Sequence, residues 1–200
     1  MDLNHITYKG PDIDDEEVLA SLPDNLANLL SQINGFIQYH GGLHIYGACR
    51  APQWHSIREA WHGEAAAHKH YESIRASDVP LGEDCLGFQF FLRDKQVIFL
   101  DGETGDVEEL GLSLREFFAW VADDPVDSLG MQPLHQFMEE GNICEPGKLL
   151  AEYPFFCTKE SEQGVSLSAV PCLERRQFLA DLHNQLSGVQ DGGKFDVTLV

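Results

Sequence analysis

Basic side chains are scarce in this sequence. Thirteen lysines and arginines stand against 33 aspartates and glutamates, which gives a formal net charge of −20 over 200 residues. Nucleic acids and anionic lipids are bound by neutralising their phosphates with Lys and Arg, so the charge argues against both classes of partner. It favours a basic protein partner, whose encounter it would accelerate. Acidity that only keeps the protein in solution is the alternative, and the composition leaves both interpretations open.

Long apolar runs are also missing. No stretch approaches the roughly 18 apolar residues that cross a bilayer, and the first residues are polar and acidic, unlike a secretory signal. The five cysteines are widely spaced and include no Cys-x-x-Cys pair. They are typical of reduced thiols packed as small apolar side chains. Together these absences predict a cytoplasmic protein with no membrane partner.

Sequence motifs of catalysis and cofactor binding are absent as well. The chain has no Gly-x-Ser-x-Gly, no phosphate-binding P-loop and no dinucleotide fingerprint. His62, Glu64, His68 and His70 form a metal-capable group, but it lacks the paired histidines around a glutamate that zinc proteases use. A solvated polar helix face is the favoured interpretation, and a metal-dependent enzyme is the alternative. We therefore predict no catalytic residue, no metal and no cofactor.

Three stretches have the apolar periodicity of helices. Their apolar stripes fall at residues 26–33, 114–121 and, less regularly, 54–75. Ser21 and Asp24 have the spacing of a capping box before the first helix, and Gly35 supplies its stop. Ser113 and Glu116 form a second capping box, which predicts the start of the helix at 114–121.

Short apolar runs separated by turn residues predict antiparallel strands. Residues 36–39 and 43–47 flank a His-Gly-Gly turn, and residues 86–92 and 97–100 flank a charged one. Strands and helices occur in runs with hairpin connections rather than in strict alternation. This organisation predicts an α+β fold with a single, mainly antiparallel sheet flanked by helices.

Acidic residues gather at the turns around the second predicted hairpin. Residues 101–106 resemble a calcium-binding loop, but Gly105 and Leu112 stand where an EF-hand needs oxygen ligands. A hairpin turn is therefore the preferred interpretation. The resulting acidic edge is our candidate partner-binding surface. It comprises Glu83, Asp84, Asp101, Glu103, Asp106, Glu108 and Glu109.

The last 75 residues are less regular than the rest. Pro and Gly interrupt the apolar pattern, although a hairpin-like pair covers 153–158 and 165–170, and a helical stripe covers 178–186. Residues 195–200 have the composition of a short strand. We expect residues 126–200 to form a C-terminal α/β extension packed on a domain that spans 16–125.

Five short motifs occur in an order typical of one protein family. They are LP…L…LL…NG over residues 22–35, GGLHIYG at 41–47, LGEDCLG at 81–87, VIFLDGETG at 97–105 and LREFFAWV at 114–121. This set, which spans residues 16–125, resembles the SUKH superfamily of Smi/Knr-type proteins. The resemblance implies an α+β fold with a mixed, mainly antiparallel sheet, flanking helices and no catalytic residues.

The same resemblance implies a function in protein binding. Bacterial SUKH members are mostly immunity proteins, which bind and neutralise a cognate polymorphic toxin, often a nuclease. Eukaryotic relatives act in cell-wall synthesis and signalling through protein contacts. The first hypothesis is therefore an immunity protein that binds a basic toxin domain. A regulatory or scaffold protein with an endogenous partner is the alternative, and the sequence does not separate the two.

Overall fold

A seven-stranded antiparallel sheet dominates the computed structural model, which describes residues 4–186 and 188. The strands are neighbours in the same order as they occur in the chain, so each one pairs with the next. They are β1 (Ile6–Lys9), β2 (Phe36–Gln38), β3 (Leu43–Ile45), β4 (Val79–Asp84), β5 (Gln89–Arg93), β6 (Gln96–Leu100) and β7 (Val107–Ser113). The predicted α+β class with an antiparallel sheet is confirmed. The sheet begins at β1, before the predicted domain start at residue 16.

Seven α-helices and a second, two-stranded sheet complete the described part of the chain. The helices are α1 (Glu16–Ser21), α2 (Asp24–Gln32), α3 (Ile57–His62), α4 (Leu114–Asp123), α5 (Pro125–Ser128), α6 (Gln132–Glu139) and α7 (Cys172–Leu186). The second sheet pairs β8 (Lys148–Tyr153) with β9 (Ser166–Pro171) in antiparallel register. Within the described residues, no helix combines the length and apolarity that a membrane span needs.

Local sequence signals place several element boundaries correctly. Ser113 accepts a hydrogen bond from the backbone of Glu116, whose side chain accepts one from the backbone of Ser113, so the predicted capping box starts α4. Gly35 has φ +72° just after α2, as its stop signal predicts. Asp94 and Lys95 connect β5 to β6 with φ of +49° and +73°. That geometry is typical of a two-residue hairpin turn matched to the strand twist.

Other boundaries differ from the predictions. Ser21 donates its hydroxyl proton to the carbonyl of Val18 at the end of α1, so it does not cap α2. In the stretch 54–75 only α3 is α-helical, because Gly63 and the residues after it turn away from helical geometry. The C-terminal hairpin begins earlier than predicted, at Lys148. The strand predicted at 195–200 lies outside the described residues.

One apolar core joins the main sheet to the C-terminal elements. Phe36, Phe90 and Phe117 lie in the same buried cluster as Phe137 and Leu179 from the extension. The backbone N–H of Leu150 in β8 donates to the carbonyl of Cys85 at 2.7 Å. The described part of the extension is therefore packed on the main sheet by both apolar and hydrogen-bonded contacts.

Candidate functional site

The seven acidic residues of the predicted edge occupy three different environments. Glu83, Asp84 and Glu103 are buried, Asp101 is partly buried, and Asp106, Glu108 and Glu109 are exposed. Only the last three have carboxylates exposed on the outer surface. A binding role for them stays a prediction, whereas the buried members take part in contacts inside the protein.

An aromatic cavity of about 350 Å³ lies beside the exposed acids, and we call it the acidic cavity. Strands β4 to β7 supply one wall, and α4 with the residues after it supplies the other. The lining consists of Asp84, Leu86, Phe88, Phe90, Phe99, Glu108, Leu110, Trp120 and residues 127–130. Three of these side chains are carboxylates, counting Asp127, and none of the lining residues is basic.

Asp84 is the buried carboxyl of the acidic cavity. Its Oδ1 accepts hydrogen bonds from the backbone N–H groups of Leu86 and Phe88, at 2.8 and 3.0 Å. Burial raises the pKa of Asp84 to about 7, and these backbone donors only partly oppose the rise. A cation that entered the cavity would favour the ionised form of this carboxyl.

Aromatic rings and carboxylates together make the acidic cavity suitable for a positive charge. The Phe90 and Phe99 rings lie 5.1 Å apart, and Phe88 packs on Phe99 with centroids 6.1 Å apart. The faces of such rings attract ammonium and guanidinium groups, and Trp120, which is 36% exposed, stands in the other wall of the cavity. The cavity therefore matches a lysine or arginine side chain.

Glu83 belongs to a separate buried network rather than to the partner surface. Arg176 of α7 donates to both of its carboxylate oxygens at 2.7 Å, and the Tyr46 hydroxyl donates at 3.1 Å. Burial alone would raise the pKa of Glu83, but the Arg176 charge and hydrogen bonds from His44 and Arg176 outweigh it and hold the pKa at about 2. The carboxylate is thus fully engaged inside the protein.

Two histidines extend the Glu83 network to the backbone. The nitrogens of His44 lie 2.8 Å from Glu83 and 2.8 Å from His55, and the second nitrogen of His55 lies 3.0 Å from the Asn34 carbonyl. Three hydrogen bonds in a line need three protons, whereas two neutral imidazoles carry two. Burial lowers the pKa of both imidazoles, that of His55 to about 4, and so disfavours a third proton on the histidine pair.

Glu103 lies in a second buried carboxyl site. Its oxygens accept the backbone N–H groups of Phe156 and Cys157 at 3.3 and 2.7 Å. It is also hydrogen-bonded to Glu152 of β8, which Arg175 contacts through both carboxylate oxygens at 2.8 and 2.6 Å. Burial first, and the Glu103 hydrogen bond in addition, raise the pKa of Glu152 to about 8 despite Arg175.

The metal-capable histidine group does not converge in the structure. The Nε2–H of His70 donates to the Glu64 carbonyl at 2.8 Å, and Lys69 donates to the carbonyl of His62. Across the described ranges, 4–186 and 188, no three His, Cys, Asp or Glu side chains gather closely enough to hold a metal ion.

Sequence reasoning missed the residues that organise the interior: His44, His55, Arg175 and Arg176. One signal was available for the arginines. Two consecutive arginines stand between Cys172 and Phe178 in a helix that otherwise turns apolar side chains toward the core. Charged residues are rarely buried without a partner, so this pair predicts buried carboxylates elsewhere in the chain.

Comparisons with known proteins bear on the fold alone. Neither a protein-family model nor a curated protein matches the chain. A crystal structure of Atu4351 from Agrobacterium tumefaciens is similar, with a TM-score of 0.54 at 14% identity. The similarity covers 89% of this chain and 86% of that one, so the arrangement of the main sheet and the C-terminal elements is shared.

Proposed function

We propose that this protein is a non-catalytic binding protein, an immunity protein that neutralises a basic toxin domain by protein–protein contact. The observation that carries the proposal is the acidic cavity, an aromatic slot of about 350 Å³ with three carboxylates in its lining and no basic residue among them. The order of the SUKH-like motifs along residues 16–125 supports the same function.

The occupant of the acidic cavity is a lysine or arginine side chain of the toxin. Its charged group lies against the faces of Phe99 and Trp120, where the ring quadrupoles attract it, and within reach of Asp84 and Glu108. A buried aromatic slot at the centre of an interface is the usual setting of a binding hot spot. The cavity thus provides affinity through one anchored cation.

The exposed acids of β7 and its preceding turn act during approach. Asp106, Glu108 and Glu109 are exposed in or just before the edge strand β7, and Glu108 also lines the acidic cavity. Carboxylates in such positions raise the association rate with a basic partner and make that rate sensitive to salt. A nuclease would be inactivated because the basic surface that binds its phosphates is covered.

Charge reversal at β7 tests this proposal. The variant Asp106→Lys/Glu108→Lys/Glu109→Lys should bind the cognate toxin domain at least 10-fold more slowly at low salt, and its rate should lose most of its salt dependence. Stopped-flow association at several ionic strengths measures both. The matched control reverses three exposed acids elsewhere, Glu139, Glu160 and Glu162, and has the same net charge. Equal rates for the two triple variants would exclude the β7 edge.

Toxin neutralisation itself needs a separate assay. Cells that express the cognate toxin should survive when this protein is co-expressed and should die with the triple β7 variant. A regulatory or scaffold protein would bind an endogenous partner and give no protection. Absence of protection by the wild-type protein, when both proteins are present at measurable levels, contradicts the immunity function.

A further inference from the structure

A second cavity lies where the main sheet meets the C-terminal extension, and we call it the apolar cavity. Its volume is about 390 Å³, within the usual range of small-molecule sites. The β2–β3 connection and Trp54 form one side, and residues 142–149 form the other. Ile37, Ile143, Pro146 and Leu149 give it a mainly apolar lining. Ligand sites occur preferentially at such junctions between structural units.

Trp54 forms a fixed aromatic wall of the apolar cavity. Its ring contacts the rings of Tyr8, His44 and His55, with centroid distances of 5.2, 5.2 and 5.3 Å. Its own carbonyl accepts a hydrogen bond from Arg176 at 3.0 Å, so both the backbone and the ring are held in place. A rigid flat surface of this kind favours a planar ligand, which stacks without ordering the protein further.

The indole N–H of Trp54 is an unused donor. Among the residues the structure describes, none accepts a hydrogen bond from its Nε1. By contrast, Trp61, which lies outside the cavity, donates its indole N–H to the Ala76 carbonyl at 3.0 Å. A glycine, Gly147, lies beside this donor, and a Cβ there would approach Nε1 to 3.0 Å. Trp54 is only partly buried and its Nε1 is not among the buried atoms that lack a partner, so this donor is open to an acceptor on a ligand.

The rim of the apolar cavity contains unusual backbone. Tyr39, His40 and Gly41 follow one another with φ of +53°, +58° and +110°, and two of them are not glycine. Left-handed geometry at non-glycine residues costs about 1 kcal/mol or more each, and it concentrates at functional sites. His40 and Gly41 line the apolar cavity. The strained turn therefore borders the proposed ligand site.

The walls of the apolar cavity offer no net charge to a ligand. His44 lines it, but its two nitrogens are engaged by Glu83 and His55, so the ring presents carbon atoms. Glu145 and Lys148 at the periphery carry opposite charges. We propose that the apolar cavity binds a small, planar, uncharged organic molecule that accepts a hydrogen bond from Trp54 Nε1.

Fluorescence titration with prodan, a neutral naphthalene that carries a carbonyl acceptor, tests this proposal. Prodan should bind with 1:1 saturation and a blue-shifted emission. Trp54→Phe keeps the flat wall but removes the donor, so it should weaken binding about 5-fold, the effect of one hydrogen bond. Cys144→Phe places a ring in the cavity and should abolish binding, with circular dichroism showing that the variant is folded.

Matched tryptophan variants locate the bound probe. Trp120→Phe changes the acidic cavity and Trp61→Phe changes a tryptophan outside both cavities, so neither should affect prodan binding. Absence of saturable binding to the wild-type protein overturns the proposal. So does wild-type affinity in Trp54→Phe, or a loss of binding caused by Trp120→Phe. The result is independent of toxin neutralisation, which Cys144→Phe should leave unchanged.

Discussion

Two consecutive arginines of α7 pair with buried glutamates whose pKa values are shifted in opposite directions. Arg176 and Arg175 are both buried, and each pairs with a buried glutamate of a different sheet. Glu83 receives donors from Arg176, Tyr46 and His44, and its pKa is held at about 2. Glu152 shares its site with a second carboxyl, and its pKa is raised to about 8.

The hydrogen bonds of the two sites differ as well as their charges. Arg175 donates through Nε to the Leu86 carbonyl and through Nη2 to Glu152, but its Nη1 is buried without a partner among the described residues. A fully satisfied buried ion pair fixes one arrangement, whereas a partly satisfied one leaves a penalty in place. The same pair of residue types therefore forms a stable ionic contact at β4 and a proton-dependent one at β8.

The largest expected effect comes from removing each arginine in turn. Arg176→Met leaves the ionised Glu83 buried without its counter-charge and should lower the free energy of unfolding by about 3–5 kcal/mol. Arg175→Met should cost clearly less, since Glu152 holds a proton up to a pH of about 8 and needs no counter-charge when neutral. Urea unfolding at pH 7 measures both.

The control for this comparison is Arg115→Met, because Arg115 is exposed. It should change the free energy of unfolding by less than about 0.5 kcal/mol. Equal losses for Arg175→Met and Arg176→Met would show that the two ion pairs do not differ in the way described.

A smaller effect is expected from Tyr46→Phe. This change removes the hydroxyl that donates to Glu83 at 3.1 Å and keeps the ring over which the Arg176 guanidinium lies at 4.9 Å. A hydrogen bond to a charged group contributes about 1.5–3 kcal/mol, so urea unfolding should show a loss in that range. Tyr153→Phe, at a residue 69% exposed, is the control. A Tyr46→Phe protein as stable as the wild type would mean that Glu83 does not need its third donor.

The smallest effect is a change in pH dependence at the second site. The pKa of Glu152 is about 8 in the folded protein and 4.5 in an ordinary environment, so the folded state keeps a proton that the unfolded chain releases. The raised pKa of Glu152 contributes to the free energy of unfolding. This contribution is fully present below pH 4.5 and is lost as the pH rises through about 8. Glu103→Gln removes the neighbouring carboxyl and should lower the pKa of Glu152.

The loss of unfolding free energy between pH 5 and 8.5 should then shrink by about 1 kcal/mol, the equivalent of roughly one pKa unit. Urea unfolding at intervals across this range provides the measurement. Glu108→Gln, at an exposed position, should leave the slope as it is in the wild type. An unchanged slope in Glu103→Gln would remove Glu103 as the cause of the raised pKa.

The parts of the fold that were predicted correctly depend on short-range sequence signals, such as capping boxes and turn residues. The Ser113–Glu116 box and the Asp94–Lys95 turn act over four residues or fewer, so their chemistry is visible in the printed chain. The antiparallel class followed from several such hairpins. The prediction of a helix over 54–75 was wrong because three apolar residues at helical spacing do not outweigh Gly63. The structure has short 3-10 helices on either side of α3, at Gln53–His55 and Ala67–Lys69.

The candidate site was harder to predict because burial is not a local property. Glu83 and Asp84 are adjacent acids at the end of β4, yet one enters the Arg176 network and the other the acidic cavity. Adjacent side chains of a strand point to opposite faces of the sheet, so Glu83 and Asp84 belong to different environments. The prediction instead placed all seven acids on one surface. Glu103 was placed on the same surface, although its partners, at residues 152, 156 and 157, lie about 50 residues further along the chain.

The Arg176–Glu83 contact also imposes an order on biosynthesis. The two residues are 93 positions apart, so every strand of the main sheet leaves the ribosome before the counter-charge of Glu83 exists. Until α7 emerges, a nascent sheet must either leave that region hydrated or bury a carboxylate alone. The sheet therefore closes around a paired Glu83 only after α7 has emerged and packed against β4.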